Sequence, residues 1–177
     1  RCTPRLRAAA AGSAPPMLGF WLSLASDGNA ELLAGAGADF VVVDGEHAPN
    51  DLDLMRRLLM AAELGAKGAT PVAARTPINE PWVIKQLMDA GATSLIVPMV
   101  DDADEAERAA KSMRFPPEGI RGVAGGARSS DYGRVPDYLT TANAEACTIV
   151  QIESREAVAN LEAIAATPGV DGLFIGP

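Results

Sequence analysis

One short stretch of this chain concentrates groups able to move protons and hold cations. It is Phe40-Val-Val-Val-Asp44-Gly-Glu46-His47-Ala-Pro-Asn-Asp51, with Asp44, Glu46 and His47 at its centre. His47 is the single histidine among 177 residues, and imidazole is the side chain whose charge changes near neutral pH. The carboxylates beside it can orient a base or offer oxygen ligands to a hard cation. Arg75 supplies a fixed positive charge further along, a second arginine lies in the Gly119-Ile-Arg121-Gly122 turn, and Gln151 and Glu153 flank Ile152. The set holds a base candidate, a guanidinium and a metal-ready carboxylate. Lys67, Lys85 and Lys111 all fall in helical segments or in loops leading into strands. No lysine therefore stands ready for a Schiff base, and carbanion chemistry here must rely on a metal and an arginine.

These groups share a position in the pattern. Phe40–Val43 is a short apolar run of the kind that forms a strand buried on both faces, and Asp44-Gly45 ends it, so the acids and His47 emerge at its C-terminal tip. Strand-like runs recur at Leu18–Leu24, Pro71–Ala74, Leu95–Val97, Thr148–Ile152 and Leu173–Ile175, with a weaker one at Ile120–Val123. Helix-like segments lie between them: Ala30–Ala36, Leu52–Leu64, Glu80–Ala90, Ala103–Met113 and Arg155–Ala166. Gly37, Gly91 and Gly169 each stand where a helix should end and a buried strand soon begins. Alternation of this kind predicts a parallel sheet of βα units. GxGxxG and GxxxxGK[ST] are both absent, so Rossmann and P-loop readings lose their usual support. Seven candidate strands favour an α/β fold of the (β/α)₈ TIM barrel type, one domain over residues 1–177, C-terminally incomplete, with the last strand and helices expected beyond Pro177. In a barrel the polar strand tips, Asp44, Arg75, Arg121, Gln151 and Glu153, would face one mouth.

Bulk composition narrows the partners. Apolar residues make up 48% and charged residues 21%, an ordinary soluble balance. A net charge of −8 and the lack of a basic, aromatic-rich stripe argue against nucleic acid and against anionic membrane surfaces. No apolar run approaches the roughly 20 residues of a membrane-spanning helix. Cys2 and Cys147 build no disulfide framework, which reads as a reducing, cytoplasmic setting. Arg1–Pro16 reads as a partial first helix rather than a targeting segment, and both ends look cut.

Gly19-Phe-Trp-Leu-Ser-Leu24, Asp44-Gly-Glu-His-Ala-Pro-Asn-Asp51 and Lys85-Gln-Leu-Met-Asp-Ala-Gly91 resemble segments of the HpcH/HpaI aldolases, among them the 4-hydroxy-2-oxoheptanedioate and 2-dehydro-3-deoxyglucarate aldolases. The resemblance continues through Ile96-Val-Pro-Met-Val100, Phe115-Pro-Pro-Glu-Gly-Ile-Arg-Gly122, Gln151-Ile-Glu-Ser-Arg-Glu156 and Gly172-Leu-Phe-Ile-Gly-Pro177. It implies a class II, metal-dependent pyruvate aldolase on a (β/α)₈ barrel, a lyase that splits a 4-hydroxy-2-oxo (di)acid into pyruvate and an aldehyde. It also implies homo-oligomers, a hexamer or trimer of dimers. On the same footing, Glu153 is a ligand of Mg²⁺, Mn²⁺ or Co²⁺, and Arg75 steadies the keto oxygen. His47, oriented by Asp44, serves as base, and Asp89 reaches a site across a subunit interface. Gln151, Gly176 and Pro177 fall at substrate-binding positions. The family's second metal carboxylate is an aspartate just after the Gly-Pro matched by Gly176-Pro177. A CoA-ester lyase of the same superfamily and a truncated, non-catalytic barrel remnant are the competing readings. Arg121 and Arg128 are candidates to meet a distal substrate carboxylate.

Overall fold

Apolar runs separated by amphipathic helices bury both faces by pairing in parallel under a helical layer. In the computed structural model, which describes residues 4, 8, 9 and 12–176, such runs form one six-stranded parallel sheet. Its strands are β1 (Gly19–Leu22), β2 (Phe40–Asp44), β3 (Val72–Arg75), β4 (Ser94–Val97), β5 (Cys147–Ile152) and β6 (Gly172–Ile175). Between them run α1 (Asp27–Ala34), α2 (Leu52–Ala66), α3 (Pro81–Asp89), α4 (Ala103–Ser112), α5 (Tyr138–Glu145), and the short pair α6 (Arg155–Ala159) and α7 (Leu161–Ala165). Order in space equals order in sequence, β1 through β6. A doubly wound sheet reverses its order at a switch point; this one does not.

The sheet is also curled. Five inter-strand steps of about 4.8 Å would set β1 roughly 24 Å from β6 in a flat sheet. Yet the Trp21 and Phe174 rings, one from each, meet edge to face with centroids 5.8 Å apart. Side-chain alternation assigns the two faces. Leu22, Val41, Val43, Ala74, Leu95, Val97, Val150 and Ile152 pack outward on the helices, against Leu58, Leu59, Ile84, Leu87 and Ile164. Val42, Ala73 and Ile96, with Phe40, Ile149 and Phe174, line the concave face. They enclose a mainly apolar cavity of about 210 Å³. The period of two then carries Asp44, Arg75 and Gln151 onto that same concave face, one or two steps beyond its apolar floor.

Four expectations are corrected here. Six strands form rather than seven, because Ile120–Val123 is loop. The Ile120 and Arg121 N–H groups donate to the Lys111 and Arg114 carbonyls at the end of α4, so they are not available to a ladder. The single helix expected over Arg155–Ala166 is broken at Asn160, whose amide reaches the Asp101 carbonyl at 2.8 Å. Helix α5 was not anticipated; it buries only Ala142 and so shows no apolar stripe. Strand β3 extends through Arg75 rather than stopping at Ala74. The partial first helix and Cys2 lie largely or wholly outside the described residues, as does Pro177. No helix among the described residues is long and apolar enough to cross a membrane.

Candidate active site

Three strand tips build the site. Asp44 closes β2 and Arg75 closes β3, and the two are register partners on neighbouring strands. Their side chains therefore start side by side and form a two-pronged ion pair. Arg75 Nε donates to Asp44 Oδ1 at 2.9 Å and Nη2 to Oδ2 at 2.8 Å. Both residues are buried. Gly45 makes the turn possible: its N–H donates to the Arg75 carbonyl, and a Cβ there would lie 2.7 Å from that oxygen and 2.6 Å from Met55 Sδ. The Glu46 and His47 N–H groups then fold back onto Asp44 Oδ1 at 3.0 and 3.3 Å. Asn50 closes the loop on the Asp44 carbonyl at 2.6 Å, and Asp51 caps α2 through the Leu54 N–H. Half of this acidic stretch is thus loop architecture.

Arg75 is gripped on every side. Glu46 Oε2 lies 3.1 Å from Nη1, at ion-pair distance but without the angle of a hydrogen bond. The Trp21 ring covers one face of the guanidinium, 4.3 Å from its carbon. Nη1 also donates to Gln151 Oε1 over a long 3.5 Å. Gln151 in turn donates through Nε2 to Glu153 Oε2 at 2.5 Å, and the Met99 N–H holds the other Glu153 oxygen at 2.7 Å. Met99 adopts φ +51°, a left-handed conformation uncommon outside glycine.

The two acids of the β2 loop are driven apart. Burial alone would raise the Asp44 carboxyl, but the Arg75 hydrogen bonds, the two loop N–H groups and the Arg75 charge together hold it below its ordinary 3.8. Glu46 goes the other way: burial, then the nearby Glu153 charge, push it above 4.5 despite Arg75. The site thus sets two neighbouring carboxyls in opposite directions. Its oxygen-only donors also suit a hard divalent ion. Among the described residues no three His, Cys, Asp or Glu side chains converge as a metal cage. Glu153 is the carboxylate that stands free of any cation at the mouth, and one carboxylate with waters and substrate is a known mode for Mg²⁺.

The sequence profile of the HpcH/HpaI aldolase/citrate lyase family matches residues 17–177. The chain belongs to that family. It is 50% identical over 163 residues to a 4-hydroxy-2-oxo-heptane-1,7-dioate aldolase of Salmonella dublin, a match covering 92% of this chain and 61% of that protein. Among solved structures, an HpcH/HpaI aldolase/citrate lyase family protein from Burkholderia cenocepacia superposes with a TM-score of 0.92 at 45% identity, covering 99% of this chain and 68% of that one. Macrophomate synthase superposes at 0.85 with 30% identity, over 99% of this chain and 60% of its own. The chain thus spans about three-fifths of the curated relative's length.

Within this HpcH/HpaI chain the residues read from sequence divide into two groups. Asp44, Glu46, Arg75, Gln151 and Glu153 come together, with Gly176 beside them: a Cβ on Gly176 would sit 3.1 Å from Gln151 Nε2. His47 is at the rim, its side chain 71% exposed and its Nε2 3.8 Å from Glu46 Oε2. Asp44 receives the His47 backbone N–H and spends its carboxylate on Arg75, so orientation of the imidazole by Asp44 is not what the structure shows. The second group lies elsewhere. Asp89 ends α3, at the opposite edge of the sheet from the strand tips, and pairs with Arg121 at 2.6 Å. Arg121 is buried against the Phe115 ring, 4.4 Å from its centroid, not at the mouth. Arg128 donates to the Ala90 carbonyl and to Glu63, tying α3 to α2. Neither arginine stands among the strand-tip groups; both bond to groups on or at the ends of helices. Trp21 and Met99 lie inside motifs quoted above but were given no role from sequence. Period-two placement of Trp21 on the concave face was the available signal for the first; Met99 had only its place in the Ile96–Val100 motif.

Proposed function

We propose that this chain carries the pyruvate half-site of a class II aldolase, which cleaves a 4-hydroxy-2-oxo acid to pyruvate and an aldehyde. The supporting observation is Arg75, buried and held by two carboxylates, a glutamine and a tryptophan, with the Glu153 carboxylate next to it. In the cleavage direction the 4-hydroxyl loses its proton, the C3–C4 bond breaks, and its electron pair remains on C3 as pyruvate enolate. The aldehyde leaves, and C3 then takes up a proton. Negative charge gathers on the C2 oxygen, where a fixed guanidinium lowers the barrier. Arg75 can provide this because Asp44 fixes its Nε and Nη2, leaving Nη1 with the Glu46 carboxylate at 3.1 Å and a long Gln151 contact, the latter for a substrate oxygen to replace. His47, exposed at the rim, is placed to exchange protons with substrate and solvent, with Glu46 as its nearest carboxylate. Glu153 would hold a divalent ion, Mg²⁺, Mn²⁺ or Co²⁺, which when bound supplies Lewis-acid polarisation of the keto acid.

The six-stranded arc is read as the greater part of an eight-stranded barrel, a reading supported by its curl, which brings Trp21 of β1 against Phe174 of β6. The Asp89 role across a subunit interface belongs to an assembly of copies, since within one chain its carboxylate is taken by Arg121. The test is loss of the pyruvate methyl proton signal in D₂O with Mg²⁺, Mn²⁺ or Co²⁺, against an EDTA control. Exchange that needs the ion and falls about 10²–10³-fold in Arg75→Met is expected, by the scale for losing one oxyanion donor. Exchange that persists in Arg75→Met or in His47→Ala removes that residue from the reaction.

A further inference from the structure

Gln151 is the one neutral side chain joining the site's cation to its cation ligand. Its side chain ends in one acceptor oxygen and one donor nitrogen. The oxygen faces Arg75 Nη1 at 3.5 Å and the nitrogen faces Glu153 Oε2 at 2.5 Å. Only this orientation works, because a flipped amide would set its NH₂ against the guanidinium and its oxygen against the carboxylate. The amide is fixed from behind as well. Gln151 is buried on β5, and the backbone at Gly176, just past β6, packs so closely that a Cβ would come within 3.1 Å of Nε2 and 3.4 Å of Cγ.

We infer that Gln151 is a positioning residue that keeps the Arg75 guanidinium and the Glu153 carboxylate from closing on each other. This rests on the reading of Glu153 as the ligand of a divalent ion. Arginine and carboxylate form the strongest of the common side-chain hydrogen bonds, often two at once. Attraction between them grows in a water-poor site. Arg75 already has Asp44 on its Nε edge and Glu46 beside Nη1. Its remaining open direction is toward Gln151, and behind Gln151 stands Glu153. Without the amide, Nη1 keeps Glu46 at 3.1 Å but loses its hydrogen-bond acceptor, and Glu153 Oε2 loses its donor, so the two can pair across the space the amide filled. Glu153 would turn on the oxygen held by the Met99 N–H and give its free edge to Arg75 instead of to an ion. Glutamine has the length and the two-faced end to fill the gap. Asparagine is one methylene short, and a glutamate would repel Glu153.

The first experiment compares Mn²⁺ binding, by EPR of the free ion, in the parent protein, Gln151→Met, Arg75→Met, the double variant and Glu153→Gln. Gln151→Met is expected to weaken Mn²⁺ affinity about tenfold or more, the usual effect of losing a group that orients a metal ligand. The double variant should regain affinity to near that of Arg75→Met, because no guanidinium remains to capture Glu153. A purely structural role predicts no such rescue. Unchanged affinity in Gln151→Met, or no recovery in the double variant, overturns the inference. Gln151→Asn replaces Gln151→Met, with the same expectations, if the latter fails to fold. Parent protein that binds no Mn²⁺, or binds it equally well as Glu153→Gln, removes the ligand reading instead. The crystal structure of metal-free Gln151→Met then decides. Glu153 in hydrogen-bond contact with Arg75 Nη1 sustains the spacer role, and Glu153 unmoved refutes it.

Discussion

Replacing Asp44 by asparagine keeps the side chain's shape and removes the charge facing Arg75. The carboxylate side chain is 4% exposed and that of Arg75 9%, and two short hydrogen bonds join them. Removing one partner of such a pair costs about 3–5 kcal/mol, mainly because the survivor stays buried and unbalanced. Glu46 remains 3.1 Å from Nη1, which favours the lower end, about 3 kcal/mol. For a chain of this size that corresponds to a Tm lower by about 6–12 °C. The pH dependence has a definite sign. The folded Asp44 carboxyl lies below its ordinary 3.8, since Arg75 and the loop N–H groups outweigh burial. Its stabilisation is therefore present above pH 3.8 and is lost as the pH falls through the lower folded value. Circular-dichroism melts of both proteins should show a wide gap at neutral pH that closes in acid. A gap under about 2 °C at neutral pH, or one that widens as the solution is acidified, would refute the buried-pair account. The double variant Asp44→Leu, Arg75→Met should melt above Asp44→Asn, because it leaves no stranded charge.

Glu46→Gln tests the opposite shift. The folded Glu46 carboxyl is raised, by burial first, so its contribution is present below pH 4.5 and lost as the pH rises through the folded value. The stability of the parent relative to Glu46→Gln should thus decline toward neutral pH in paired melts; a growing advantage would contradict it. Gly45→Ala forces a Cβ against Met55 Sδ and the Arg75 carbonyl, and should cost about 1–3 kcal/mol in urea unfolding. An unchanged midpoint would mean that the turn has room to give. Arg128→Ala removes a link between α3 and α2 and should cost about 1 kcal/mol, with pyruvate exchange held at the parent rate. Lost exchange would bring Arg128 back into the site.

The legible parts of the fold were those encoded by local pattern. Phe40–Val43 and Thr148–Ile152 are apolar over enough residues to be strands in any α/β arrangement, and the two-residue period projects Asp44 and Gln151 to one face. Gly37, Gly91 and Gly169 all take positive φ between a helix and the next strand, but only Gly91 directly follows its helix's C-cap; the others lie two and three residues past caps at Gly35 and Ala166. What was missed depends on distance along the chain. Arg121 and Arg128 read as substrate groups, but their partners Asp89 and Glu63 lie 32 and 65 residues away, and no spacing rule links them. Ile120–Val123 has a strand's composition, yet its first two N–H groups meet the carbonyls ending α4 before any strand can claim them. His47 was placed correctly at a strand tip, while the partner given to it was wrong. Asp44 sits at the end of a strand whose register neighbour is an arginine, and a two-pronged ion pair outcompetes a contact with an exposed imidazole.

Charge balance connects these observations to the proposed chemistry. Three carboxylates, Asp44, Glu46 and Glu153, gather around one guanidinium, with His47 at the rim. If all three are ionised and His47 is neutral, two negative charges remain uncompensated. Burial, then the Glu153 charge, raises the Glu46 carboxyl above its ordinary value, the direction that relieves this surplus. Despite burial, the Arg75 hydrogen bonds and the loop N–H groups hold the Asp44 carboxyl below its own. The surplus therefore falls on Glu46 and Glu153, which face the open mouth rather than the helix layer. A cluster arranged this way disfavours an anionic substrate arriving by itself, and becomes receptive once two positive charges are added beside Glu153. That is the electrostatic condition the proposed 2-oxo acid substrate would require of a site whose cation, among the described residues, is Arg75.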